Sequence, residues 1–167
     1  MATNDLTIRA ATATDVLAAA TVHRAAAVAA FRSIFPETEE PPALEWLVEN
    51  WSELVSSPDG EALIAAAGDE VVGTVVARTD PHDPAVGQLH RLYVLPELWQ
   101  GGVGTALHDA AIDRLRARGF ARAGLWVLER NTAARAMYER RGWVLVPGRE
   151  MRYEPSGVIE VRYEREL

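Results

Sequence analysis

Three glycines within four positions, Gly101, Gly102 and Gly104, separate an apolar run ending at about Leu95 from a run of helical period that follows. Glycine takes Cβ out of the path of a ligand, and the first turn of a helix leaves N–H groups unpaired and polarised toward an anion. Such a turn grips phosphate. Downstream, Asn131 opens a short helical segment and Tyr138 sits within it. A phenol with a pKa near 10 keeps its proton at neutral pH and can give it to a leaving group. His90, on the strand before the glycines, has an ordinary pKa close to the working pH and is the candidate proton acceptor. The bland alternative for His90 is a structural histidine beside Arg91, and for Asn131 a simple helix cap.

The surroundings of the glycines narrow the choice of ligand. A Walker A loop needs a lysine to reach the terminal phosphates, and all 17 basic residues of this chain are arginine. A dinucleotide fingerprint needs a third glycine where this chain has Leu107, although Glu129 could serve as its ribose-binding acid.

The segment Trp99-Gln100-Gly101-Gly102-Val103-Gly104 resembles the Gln/Arg-x-x-Gly-x-Gly/Ala turn of the GNAT-type N-acetyltransferases, departing from it at Trp99. The segment Asn131-Thr132-Ala133-Ala134-Arg135-Ala136-Met137-Tyr138-Glu139-Arg140-Arg141-Gly142-Trp143 is similar to the family's Asn-x-x-Ala-x-x-x-Tyr-x-x-x-Gly-Phe, with Trp143 in the Phe place. The resemblance implies an α/β (α+β) fold with a mixed, mostly antiparallel sheet, a central splayed parallel pair and helices on both faces. It implies acetyl-CoA as cosubstrate. Gln100, Gly101, Gly102, Val103, Gly104, Thr105 and Ala106 would hold its pyrophosphate, chiefly through backbone amides. Backbone groups of Leu92, Tyr93 and Val94, together with Asn131, would meet the pantetheine arm. Tyr138 would protonate the departing thiolate, and a primary amine, on a small molecule or a peptide, would accept the acetyl group in a ternary complex. His90 would take the amine's proton, with Gln88 or Glu129 holding a water. Two other classes stay open: a non-catalytic acyl-CoA-binding sensor and a dinucleotide-dependent oxidoreductase.

At 167 residues and 49% hydrophobic content the chain suits one domain over 1–167, with its motifs in 88–143. The net charge of -7 argues against a nucleic-acid partner and is compatible with a cationic acceptor. Absence of cysteine excludes disulfides and an acyl-cysteine intermediate. The four histidines lack metal-ligand spacing, so no metal is expected. No apolar run reaches membrane length, and the charges of Asp5, Arg9 and Asp15 break up any leader, which gives a cytoplasmic expectation. The last strands are candidates for pairing across a homodimer.

The elements that would position these residues follow from period and punctuation. An edge strand over Leu6 to Ala10, an alanine-rich helix capped by Thr12 or Thr14 and a helix from Ala43 to Ser56 precede a hairpin turning at Gly68-Asp69. Thr79 to Ala85, with two prolines, reads as a loop. Two strand-helix units come next, Gln88–Leu95 with Gly102–Arg118 and Gly124–Leu128 with Asn131–Arg141. A hairpin from Trp143 to Glu166 closes the chain. Period two places Gln88, His90, Leu92 and Val94 on one strand face, and gives the last strand a solvated face of Glu160, Arg162 and Glu164.

Overall fold

The computed structural model describes residues 6–167; residues 1–5 of the expected domain, Asp5 included, lie outside the described residues. The chain runs β1 (Leu6–Ala10), α1 (Val16–Phe31), α2 (Leu44–Ser56), β2 (Gly60–Ala67), β3 (Glu70–Asp80), β4 (Asp83–Val94), α3 (Val103–Ala117), β5 (Arg122–Leu128), α4 (Thr132–Glu139), β6 (Val144–Tyr153) and β7 (Val158–Glu166). The order is the one read from the sequence. Asp15 fixes the entry to α1: its carboxylate accepts from the Thr12 N–H at 2.8 Å and pairs with Arg9 at 2.7 Å. The Arg9 guanidinium holds that carboxyl well below the usual range.

Seven strands form one sheet in the order β1-β2-β3-β4-β5-β7-β6. Every neighbouring pair is antiparallel except β4 and β5. Helices α1 and α2 cover one face, where Ala19, Ala20, Leu47 and Trp51 pack on Ala62 and Val76. On the other face α3 lays Leu107, Ala111 and Leu115 against Leu63, Val75 and Leu125, with Tyr138 of α4 and Trp143 in the same core. The parallel pair is held at two positions alone, Gly87 with Ala123 and Gln88 with Gly124. Beyond them the strands diverge and leave a gap in mid-sheet.

Three local expectations need correction. The stretch 79–85 is not a loop: β3 continues through Asp80 and β4 starts at Asp83, so the turn is Pro81-His82. The Asp80 side chain accepts from the His82 N–H at 2.9 Å, and Pro84 is tolerated because the β5-facing edge of β4 is unpaired until Gly87. Nor is the polar face of β7 solvated. Arg162 is 2% exposed, forms a 2.7 Å ion pair with buried Asp80, and lies across Gly124, where a Cβ would overlap the guanidinium. The third correction concerns β4. Thr74 pairs with Tyr93 and Val76 with His90, so Val75 faces two residues, Arg91 and Leu92, and Arg91 takes a φ of 53°. This bulge shifts the alternation: His90 shares its face with Tyr93, while Leu92 and Val94 turn to the α3 side.

Trp143 explains its own departure from the family's Phe. Its indole N–H donates to Nε2 of buried His108 at 2.9 Å, which fixes the proton of His108 on Nδ1, facing Asp109 at 2.8 Å. The backbone N–H of Trp143 also donates to the Tyr138 carbonyl at 3.2 Å, so the indole anchors the end of α4. Trp143→Phe orphans an acceptor in the core and is expected to cost about 1–3 kcal/mol. In urea unfolding, a double-mutant cycle with His108→Leu should return a coupling of about 1 kcal/mol; strict additivity would show that the bond contributes nothing.

Candidate active site

The glycine turn meets the requirements of an anion grip. Gly102 caps α3 with a φ of 88°, which a side chain would strain, and at Gly104 a Cβ would touch nothing nearer than Val94 Cγ2 at 3.7 Å. Internal packing therefore does not demand glycine at 104. The amide of Gly101 donates to Leu98 O at 3.2 Å and that of Ala106 to Gly102 O at 3.0 Å. In this turn the amides without a backbone acceptor among the described residues are those of Gln100, Gly102, Val103, Gly104 and Thr105, while Gly101 and Ala106 are already bonded. Arg141 reaches the same place from the end of α4, donating to the Thr105 hydroxyl. Sequence pattern gave no sign of that contact.

The open end of the gap lies next to this turn. Leu95 N–H donates to Val72 O at 3.0 Å, so strand alternation aims the Val94 amide the other way, into the gap. Tyr138 enters from the α3 face, its ring edge-on to Trp143 at 6.0 Å. Burial first, then the Tyr93 phenol, raises its pKa well above 10. Asn131 caps α4, its side chain accepting from the Ala134 N–H at 3.3 Å.

The α1/α2 face of the gap is built on Tyr93. His23 stacks on its ring at 4.1 Å, and the Trp51 indole donates to His23 Nδ1 at 3.2 Å. Burial and Arg91 lower the pKa of His23 to about 3, while burial pushes the Tyr93 phenol up to about 12. His90 sits on this face between Arg78 and Arg91; burial first, then those two cations and His23, drive its pKa well below 6.5. The structure thus keeps His90 neutral and apart from Tyr138. Across the gap, Glu160 of β7 pairs in register with Leu128 and Met151, placing it on the same face as Tyr153. Burial raises its carboxyl, with the Tyr153 hydroxyl pulling the other way. A cleft of about 360 Å³ opens at the start of β7, lined by Phe35, Glu129, Arg130, Gly157 and Ile159 among others. No acid from Glu37 to Glu53 reaches that cleft.

A free-amide helix terminus beside a splayed parallel pair is the arrangement that the motif resemblance implies. The acetyltransferase (GNAT) family model matches residues 25–143. The chain belongs to the GNAT family. It is 38% identical over 111 residues to the mycothiol acetyltransferase of Beutenbergia cavernae, a match covering 66% of this chain and 31% of that protein. It is 33% identical over 96 residues to an uncharacterized N-acetyltransferase of Archaeoglobus fulgidus, covering 54% of this chain and 65% of the other. The chain thus spans under a third of the mycothiol acetyltransferase it matches. Among solved structures, PaiA N-acetyltransferase of Thermoplasma acidophilum in complex with coenzyme A superposes with a TM-score of 0.73 at 20% identity, over 97% of this chain and 99% of that one. YncA of Salmonella typhimurium with acetyl-CoA gives 0.75 at 18%, over 98% and 95%. Those likenesses establish the fold.

Within this GNAT chain the departure at Trp99 has a structural purpose. Its indole donates to the Val94 carbonyl at 2.8 Å, tying the glycine turn to the end of β4. The polar side chain usual in the family is replaced by a strut. Among the described residues no group of three or more His, Cys, Asp or Glu could hold a metal, and no helix is long and apolar enough to cross a membrane.

Proposed function

We propose that the chain is an acetyl-CoA-dependent N-acetyltransferase that moves acetyl directly from the thioester to a primary amine in a ternary complex. The observation that carries this reading is the row of unpartnered amides from Gly102 to Thr105 at the mouth of the gap beside Tyr138. The amides and the α3 dipole bind the pyrophosphate, and the pantetheine lies along β4 where β5 has left its edge unpaired. The amine nitrogen attacks the thioester carbon, and the developing oxyanion is met by the Val94 amide. As the C–S bond breaks, the Tyr138 hydroxyl proton passes to the sulfur, and the proton that the new amide nitrogen sheds replaces it through water. The acceptor is a small molecule or a peptide amine.

Release of coenzyme A from acetyl-CoA, screened over a panel of primary amines, tests this directly. Growth of the acetylated amine in step with free thiol is expected; an acetylated protein that passes its acetyl to the amine would replace direct transfer with a two-step mechanism. A chain that binds coenzyme A yet releases none with any amine would be a sensor. Gly104→Val provides a second test. A Cβ at 104 meets nothing nearer than Val94 Cγ2 at 3.7 Å in the free protein, but the branched side chain stands where the pyrophosphate approaches, so coenzyme A affinity should weaken by about 10- to 100-fold, ~1.4–2.7 kcal/mol. Thermal stability should hold, and unchanged calorimetric affinity would move the pyrophosphate elsewhere.

A further inference from the structure

Direct attack requires a free amine, and an ammonium has no lone pair until something removes its proton. His90 is poorly suited to that task in the folded protein. It is held neutral between Arg78 and Arg91, and the same two cations repel an approaching ammonium. The other side of the gap has the opposite character.

Glu160 lies on β7, one strand beyond β5, and is close enough to act electrostatically on the Tyr93 phenol of β4. Strand alternation fixes its direction: Val161 and Tyr163 enter the core under α3, so Glu160 and Arg162 face α1 and α2. Register with Leu128 puts it at the end of β5 that has diverged from β4. Its charged and titratable neighbours are Tyr153 from β6 and Tyr93 from β4, with Arg162 two residues along its own strand. Arg162 is committed to Asp80 and Glu164, and Arg149 of β6 lies over Trp126 at 5.9 Å. Among the described residues no cation lies within ion-pair distance of Glu160. A largely buried carboxylate without a cation is unfavourable unless a ligand supplies one. Phe35, which lines the cleft, stands edge-on at 6.0 Å to the ring of Tyr153, whose hydroxyl meets this carboxylate.

Resting on the acetyltransferase reading, we propose that Glu160 is the catalytic base: its carboxylate pairs with the acceptor's ammonium, takes one proton from it, and leaves the neutral amine facing the thioester across the gap. The acceptor is accordingly a primary amine that arrives as a cation, with an apolar or aromatic portion against Phe35 and Tyr153. Proton balance is complete within the site. Two protons leave nitrogen: the first passes from the ammonium to Glu160, and the second is lost from the tetrahedral adduct as the C–S bond breaks and replaces, through water, the proton that Tyr138 has given to sulfur; Glu160 then releases its own proton to solvent. Because burial raises the Glu160 carboxyl above its ordinary range, ionisation of Glu160 would set an acid limb in kcat/KM for the amine.

The test is Glu160→Gln, with Glu160→Asp as its conservative partner, assayed against an amine that the wild type acetylates. Glu160→Gln should lower kcat/KM for the amine by about 10²- to 10³-fold. It should erase the acid limb and leave coenzyme A affinity and the circular dichroism spectrum unchanged, while Glu160→Asp keeps the limb and recovers part of the rate. A Gln variant that retains the limb, or loses less than about threefold in kcat/KM, overturns this assignment alone. So does a Gln variant that has lost its fold while the Asp variant shows no limb. A wild type that acetylates no amine in the panel overturns the transferase reading and the assignment with it.

Discussion

Tyr138→Phe is expected to lower kcat by about 10²- to 10³-fold, with coenzyme A affinity and stability nearly unchanged. The phenol has no hydrogen bond to another side chain to lose, and its ring contact with Trp143 persists in phenylalanine. The substitution therefore removes a proton donor and little else. Burial beside Tyr93 lifts the phenol well above 10, so it is protonated throughout the neutral range and adds no basic limb there. A thioester with a more acidic thiol needs less help to leave. Acetyl thioesters of aryl thiols should thus restore much of the rate in Tyr138→Phe, whereas a merely structural defect would slow every thioester alike. If the variant stays within a factor of about three of wild type on acetyl-CoA, proton transfer to sulfur does not pass through Tyr138.

Acid should unfold the protein from a higher pH than its carboxylates would predict. His23, His90 and His108 all have folded pKa values below 6.5, each chiefly through burial. Below pH 6.5 the unfolded chain takes up protons at these sites that the folded chain refuses, so stability falls as pH falls. Each histidine in its window contributes a slope of about 1.4 kcal/mol per pH unit. For His23 the window extends to about pH 3, and that residue alone loses on the order of 5 kcal/mol across it. A domain stable by about 5–15 kcal/mol does not survive several such losses. Glu160 acts with the opposite sign, since its raised folded pKa favours the folded state in acid, but it is one group against three. Urea midpoints should decline steadily from pH 6.5 to 4. Midpoints that stay level from pH 7 to 5 would show that these imidazoles accept protons within the fold.

Much of the layout was legible because the chain marks it locally. Gly102 and Gly104 announce the helix terminus, Asn131 caps α4 as its side chain suggests, and Gly68-Asp69 closes the first hairpin. What escaped depends on partners distant in sequence. The bulge at Arg91 has no glycine to signal it, yet it decides which residues share a face with His90. Arg162 looked like an outward charge because its counterion, Asp80, arrives from the β3–β4 turn and Gly124 makes room for it. Glu160 is one of many acids in the sequence and is singled out only by the register of β7 against β5. Period two assigns faces only while the pairing is regular, and catalytic surfaces are often built where it is not.

The two-position junction between β4 and β5 has a mechanical meaning. The sheet is two plates, one carrying β1 to β4 and the other β5, β7 and β6, hinged at one corner and riveted there by the Asp80–Arg162 pair. A ligand that bonded to both plates within the wedge would supply the cohesion that missing ladder rungs would have given. Melting of the saturated protein should then remain a single transition, while the empty protein is the form in which the plates can come apart in sequence.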